Sequence, residues 1–86
     1  MSDYNGWKNQ ATWNVALWIN NSESTYRSAV EFMTYRRKLS GLGFPEKGSD
    51  YQRFVYINGF DHTPDGWSFT DESLDIKALD EMMQEL

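Results

Sequence analysis

The chain is short and rich in aromatic residues, and these properties exclude several classes of protein. Its 86 residues suffice for one small domain over residues 1–86, which buries only about 60% of the surface of the unfolded chain. Four Trp, five Tyr and five Phe can nevertheless supply an adequate core. The lack of cysteine excludes disulfides, thiol catalysis and cysteine-bound metals. We therefore expect a cytoplasmic protein that needs no cofactor.

Basic and acidic residues are separated along the chain. The formal net charge is −5, but residues 1–60 carry +2 and residues 61–86 carry −7. Negative charge repels phosphate backbones, so we do not expect nucleic acid to be the main partner. A basic protein or a metal ion would suit the acidic segment better. A solvated acidic helix face that keeps the protein soluble would produce the same pattern.

Neither membrane insertion nor secretion is expected. No apolar run approaches the length of about 18 residues that a membrane span requires. The opening residues contain Asp3 and many polar side chains in place of the apolar stretch of a signal peptide. We expect a soluble, unprocessed protein with no membrane partner.

The first predicted helix covers about residues 10–20. Asn9 precedes it and can accept hydrogen bonds from its first amides as the N-cap. Its apolar residues fall on nearly all sides, with Trp13 on one face and Trp18 on another. This pattern predicts a central helix whose tryptophans belong to the core.

The second predicted helix covers about residues 22–40 and is amphipathic. Ser22 or Ser24 can cap its start, and Gly41 can supply a left-handed residue after its end. The apolar side chains recur at helical spacing and are Tyr26, Ala29, Val30, Met33 and either Tyr35 or Arg37.

The third segment, about residues 50–58, suits either a helix or a strand. Ser49 as N-cap and Asp50 in the first turn favour a helix. The alternative is a short hairpin within residues 51–62, because Asn58-Gly59 is a typical hairpin dipeptide.

The fourth predicted helix follows Asp75, which can act as its N-cap. Leu74 and Leu79 can form a hydrophobic staple across that cap. One face of the helix is apolar and comprises Ile76, Leu79, Met82, Met83 and Leu86.

Together the segments predict an all-α domain of about four helices, the first packed centrally against the second and fourth. A short hairpin within residues 51–62, in place of the third helix, would make the fold α+β.

Both ends of the chain resemble a known family. The pattern Asn-x-x-Thr-Trp-Asn-Val-Ala-Leu-Trp over residues 9–18, and Thr-Pro-Asp-Gly over residues 63–66 followed by the Leu-Asp helix, are its marks. They resemble small uncharacterised proteins of phages, plasmids and bacteria, including cyanobacteria. Gln10 and Ala11 depart from the Tyr and Glu that are more usual there. The resemblance implies a small single domain of phage or mobile-element origin, and it implies no activity.

Residues 61–72 partly match a calcium-binding loop. Asp61, Thr63, Asp65 and Glu72 occupy positions 1, 3, 5 and 12 of that template, and a glycine occupies position 6. However, threonine replaces an acid at position 3 and Pro64 stiffens position 4. The same residues also fit an ordinary Pro-Asp-Gly turn, which we favour.

Basic and aromatic residues could together bind nucleic acid. Arg36, Arg37 and Lys38 could contact phosphates while tryptophans stack on bases. The three bases also suit the negative end of a helix dipole, which explains them without a ligand. Trp7 lies in a polar stretch, so it either packs on the first helix or remains available to a partner.

The single histidine, His62, follows Asp61 and precedes two hydroxyl residues, Ser68 and Thr70. A hydrolytic triad would need one of these hydroxyls within hydrogen-bond reach of the imidazole, and no glycine-rich oxyanion pattern accompanies them. We expect a loop histidine without a catalytic role, and therefore a protein that is not an enzyme.

These observations favour a small interaction or regulatory protein with an unknown, basic protein partner. The partner surface is expected at Trp7 and at three acids of the last helix, Asp80, Glu81 and Glu85, which face away from its apolar side. Two alternatives stay open, which are nucleic-acid association through Arg36-Arg37-Lys38 and calcium binding within Asp61–Glu72.

Overall fold

The computed structural model describes residues 6–43 and 48–86, and these residues form four α-helices. The helices are α1 (Gln10–Asn21), α2 (Glu23–Gly41), α3 (Asp50–Asn58) and α4 (Ile76–Gln84). The predicted all-α fold is confirmed, and the alternative hairpin is wrong because residues 50–58 are helical. The extended pairing seen in the described residues is one isolated bridge between His62 and Ser68.

Three of the four helices begin at the predicted N-caps. Asn9, Ser49 and Asp75 each accept a side-chain hydrogen bond from the backbone amide three residues later. These bonds satisfy amides that have no partner inside the helix. Ser22 precedes α2, but its side chain makes no such bond.

The predicted end of α2 is wrong in detail. Gly41 is the last helical residue, and the left-handed residue is Gly43, with φ of 88°. Leu42 is 63% exposed, so it does not make the apolar contact that often follows a helix. Helix α3 ends as its sequence suggests, because Gly59 adopts a left-handed conformation with φ of 67°.

Helices α2 and α4 form the centre of the helix arrangement. Each of them contacts both α1 and α3, whereas α1 and α3 do not contact each other. Helix α1 therefore buries a single stripe that includes Ala11, Val15 and Ile19, while Trp13 and Trp18 remain half-buried. Helix α1 packs against α2 and α4, as predicted, but it does not contact α3, and the prediction that its tryptophans belong to the core is wrong.

The core combines residues of all four helices with part of the connecting segment, residues 60–75. A chain of aromatic rings crosses it. The ring centroids of Phe32 and Phe54 are 5.5 Å apart, those of Phe54 and Phe60 5.3 Å, and those of Phe60 and Phe69 5.2 Å. These separations are typical of favourable aromatic pairs. The connecting segment is thus packed as part of the core.

Polar contacts also attach the connecting segment to the start of α1. The Asn9 side chain donates to the Ser73 carbonyl at 2.7 Å, and the Asp75 amide donates to the Thr12 hydroxyl at 3.0 Å. Two helix starts are therefore joined through residues that lie more than sixty positions apart in sequence.

Among the described residues, no helix has both the length and the hydrophobicity needed to cross a membrane.

Candidate functional site

A groove lies between α3 and the connecting segment. Its volume is about 730 Å³. Its walls are Tyr51, Gln52, Val55, Tyr56 and Gly59 of α3 and its C-cap, together with Phe60, Asp61, Phe69, Thr70, Asp71, Glu72, Leu74 and Ile76. The size lies within the range of small-ligand and side-chain pockets in proteins.

The floor of the groove is apolar and firmly held. Phe69 is buried, and its ring packs against Phe60, which is half-buried. Tyr51 is also buried, and its hydroxyl donates to the Phe69 carbonyl at 2.6 Å. Burial raises the pKa of the Tyr51 phenol well above its ordinary value, so the group stays neutral and remains a donor. This bond ties α3 directly to the connecting segment.

The rim of the groove carries three carboxylates whose surroundings differ. Asp71 accepts from both the amide and the hydroxyl of Ser73, at 2.8 and 2.6 Å, and these bonds lower the pKa of Asp71. The Asp61 carboxylate lies 3.1 Å from Nδ1 of His62. Glu72 is exposed, and its carboxylate makes no hydrogen bond or ion pair with a described residue. Acidic groups thus surround an aromatic floor.

Two apolar side chains of α3 are largely exposed. Tyr56 is 78% exposed and lines the groove, whereas Ile57 is 59% exposed and does not belong to its lining. Exposed aromatic side chains next to a groove are a common feature of interaction sites. Sequence reasoning missed this site because it treated Tyr51–Ile57 only as a question of helix or strand.

The candidate calcium residues point to different neighbours. Asp65 accepts from Nδ2 of Asn14 at 2.8 Å and from Nε1 of Trp18 at 3.0 Å, so its carboxylate faces α1. Thr63 is buried, and its hydroxyl accepts from the Trp67 amide at 3.1 Å. Asp61 and Glu72 lie on the groove instead, and the described residues contain no group of three such ligands close enough to hold a metal.

The contacts within residues 61–72 are those of a turn. The Gly66 amide donates to the Thr63 carbonyl at 2.8 Å, and the Thr63 amide donates to the Trp67 carbonyl at 2.8 Å. Gly66 has φ of 91°, which is why a glycine stands there.

The three consecutive bases do not form a free basic patch. Arg36 is buried and pairs with Asp50 through Nη2 at 2.7 Å, and its guanidinium lies 5.6 Å from the centroid of the Phe32 ring. Arg37 donates to the carbonyls of Gln84 and Leu86 at 3.0 and 2.7 Å, at the end of α4. Only Lys38 of the three is exposed without a contact in the described chain.

One of the three acids that were expected to be exposed at the last helix is half-buried. Asp80 is half-buried and accepts from the Ser49 hydroxyl at 2.6 Å and from the Tyr51 amide at 2.8 Å. The expectation that Asp80 is exposed is therefore wrong, whereas its role in partner binding stays a prediction. Glu81 and Glu85 are exposed, as the helical pattern predicts.

Trp7 is half-buried and packs against the edge of the core. It lines a smaller cleft of about 200 Å³ along the outer side of α1, which also includes Trp13, Leu17 and Asn20. The amide of Asn20 is already used, because it donates to the Ala16 carbonyl at 2.9 Å. This cleft is shallow and offers less enclosed apolar surface than the groove.

The described contacts of His62 do not include a nucleophile. Its Nδ1 lies near Asp61, and its backbone pairs with that of Ser68. The Ser68 hydroxyl instead bonds with the Thr70 hydroxyl and accepts from the Thr70 amide, both at 3.0 Å. The hydroxyl groups are therefore engaged within their own turn.

Comparison with known proteins places the chain in a family without supplying an activity. No curated protein and no solved structure matches the chain significantly. The family described as "Family of unknown function (DUF7249)" matches residues 1–86. The resemblance at the two ends of the sequence likewise predicts a family with no assigned activity, and the match extends over the middle of the chain as well. The chain therefore belongs to the family of unknown function DUF7249.

Proposed function

We propose that this protein is a non-catalytic binding module that holds a basic segment of a partner protein in the groove between α3 and the connecting segment. The observation that carries the proposal is the combination of an aromatic floor with acidic groups on the rim of one groove of about 730 Å³. Apolar contact supplies binding energy, and complementary charge supplies orientation and partner choice.

Part of the apolar surface of α3 stays in contact with water. Tyr56 and Ile57 are mostly exposed, although their helix packs against the core through Phe54 and Val55. Covering apolar surface gains about 25 cal/mol per Å². A partner that enters the groove and also covers Tyr56 would bury more apolar surface than a small ligand can, which supports a protein segment as the occupant.

The electrostatic part concerns the charge around the groove. Asp61, Asp71 and Glu72 all line it, and they belong to the segment of residues 61–86 whose local charge is −7. Such a field attracts positively charged chains and accelerates their association. It also opposes binding of nucleic acid at the same place.

The biological setting belongs to the proposal as well. The sequence resembles small proteins of phages, plasmids and bacteria, and a cysteine-free chain suits the reducing cytoplasm. We propose that the module binds, and thereby regulates or inhibits, a protein of the host cell or of the phage.

Selection from a random peptide library displayed on phage tests this function. Peptides selected on the folded protein should be enriched in Lys and Arg next to apolar residues. Tyr56→Ser should weaken the selected peptides by about tenfold or more, because the side chain belongs to the groove. Tyr35→Ser is the matched control, because Tyr35 is 58% exposed on α2 and lies outside the groove.

Two results would overturn the proposal. One is a selection that yields no peptide above background, and the other is a set of peptides whose affinity does not change with Tyr56→Ser. Both variants replace exposed side chains, so both should keep the helical circular dichroism spectrum of the parent protein.

A further inference from the structure

We propose that Glu72 is the residue that determines specificity in the groove, because its carboxylate pairs with a lysine or arginine of the bound segment. The methylene chain of that lysine or arginine would lie on the floor formed by Phe60 and Phe69. This inference rests on the proposed function and names both the side chain that is recognised and the group that recognises it.

Most acids of residues 61–86 already have a partner within the protein. Hydrogen bonds engage Asp65, Asp71, Asp75 and Asp80, and Asp61 lies 3.1 Å from Nδ1 of His62, with which it forms an ion pair when the imidazole is protonated. In the described chain, three carboxylates have no such contact, and these are Glu72, Glu81 and Glu85. Glu72 is the one of these three that lines the groove.

The other two acids on the rim are less available to a ligand. Asp71 uses Oδ1 for two hydrogen bonds from Ser73, which hold its turn together. Asp61 lies 3.1 Å from a ring nitrogen of His62, which can donate to it. A cation that binds Oδ1 of Asp71, or Asp61 beside a protonated imidazole, has to compete with these contacts, whereas Glu72 makes no hydrogen bond or ion pair with the described residues.

The chemistry of the floor selects a long basic side chain. Lysine and arginine combine an apolar stem with a charged end, so the stem can cover aromatic surface while the charge stays at the wet rim. An aromatic face also attracts the cation itself, more often a guanidinium than an ammonium. Because Glu72 is exposed, its ion pair contributes modestly, and we expect a selectivity of about two- to fivefold.

The experiment uses the tightest peptide from the display selection and an analogue in which each Lys and Arg is replaced by Gln. Glu72→Gln should weaken binding of the parent peptide by about two- to fivefold and leave the Gln analogue unchanged. Glu81→Gln and Glu85→Gln are matched controls, because they remove the same charge outside the groove, and each should change affinity less than about twofold. Charge reversal in Glu72→Lys should favour the Gln analogue over the parent peptide.

The outcomes separate the inference from the proposed function. If Tyr56→Ser abolishes peptide binding but Glu72→Gln acts no more strongly than Glu85→Gln, the groove binds the segment and the role of Glu72 is wrong. If no selected peptide responds to Tyr56→Ser, the proposed function fails and the inference fails with it.

Discussion

The carboxylate of Asp80 on α4 accepts a hydrogen bond of 2.8 Å from the backbone amide of Tyr51 in the first turn of α3. The same oxygen accepts from the hydroxyl of Ser49, the N-cap of α3, at 2.6 Å. An acid from one helix therefore completes the cap of another. A negative charge at this place also lies favourably toward the positive end of the α3 dipole. Because Tyr51 forms one wall of the groove, Asp80 positions the site without belonging to it.

The first prediction follows from this contact. Asp80→Ala should lower the free energy of unfolding by about 1–2 kcal/mol, because two donors at the start of α3 lose their acceptor. Urea denaturation followed by circular dichroism measures the change. Glu81→Ala is the matched control, since Glu81 is exposed on the same helix. Equal stability of the two variants would show that Asp80 is not a structural cap.

The positions of the helices could be predicted because they depend on neighbouring residues. The Asn9, Ser49 and Asp75 caps each act on amides within three residues, so a local pattern contains all the required information. The face that α1 buries could not be predicted in the same way. Its apolar residues surround the helix, so the buried face depends on where α2 and α4 lie. Val15 is buried, whereas Trp13 is only half-buried.

The groove could not be predicted because its walls are distant in sequence. Tyr51 and Phe69 meet through a hydrogen bond across eighteen positions, which no local pattern indicates. Asp80 was assigned to the exposed face for the same reason, since only the location of α3 reveals its role. The burial of Arg36, in contrast, could be predicted from the sequence. Arg36 lies at helical spacing from Ala29 and from Phe32 or Met33, so it is a charged residue on a buried face.

The buried ion pair supplies the second prediction. Arg36→Met should lower the free energy of unfolding by about 3 kcal/mol, because the side chain of Asp50 is only 17% exposed and would lose its cation. Urea denaturation of the variant and of Arg27→Met measures the difference. Arg27 pairs with Glu23 at a similar distance, but both side chains are largely exposed, so its loss should have little effect.

A double variant identifies the cause of that destabilisation. Arg36→Met combined with Asp50→Asn should be more stable than Arg36→Met alone, because no uncompensated charge remains near the core. If the double variant is less stable than the single variant by the full effect of Asp50→Asn, the two residues are not coupled and the ion-pair explanation is wrong.

The third prediction concerns pH. The hydrogen bond from Asn14 and then that from Trp18 lower the pKa of Asp65 below its ordinary value of 3.8. A carboxyl group whose pKa is lower in the folded than in the unfolded protein stabilises the fold at pH values above its unfolded pKa. This stabilisation disappears as the pH falls through the folded pKa. Asp65→Asn should therefore be less stable than the parent protein near neutral pH, and the difference should shrink as the pH falls below 3.8.

Chemical denaturation across the pH range measures this difference, and the indole proton of Trp18 reports the same titration by NMR. An Asp65 carboxyl that titrates at or above 3.8 would contradict the predicted role of the two donors.

The last prediction tests the calcium alternative. Calcium at about 1 mM should leave the tryptophan fluorescence unchanged, although Trp67 lies inside the candidate loop. Asp65 is turned toward Asn14 and Trp18, and Thr63 uses its hydroxyl to accept from the Trp67 amide, so a calcium ion would have to break these bonds to collect its ligands. A saturable change below millimolar calcium that Glu72→Gln abolishes and Glu85→Gln preserves would show that the loop rearranges around the ion. The same result would mean that Glu72 serves a metal, because a carboxylate that chelates calcium is no longer free to pair with a basic side chain in the groove.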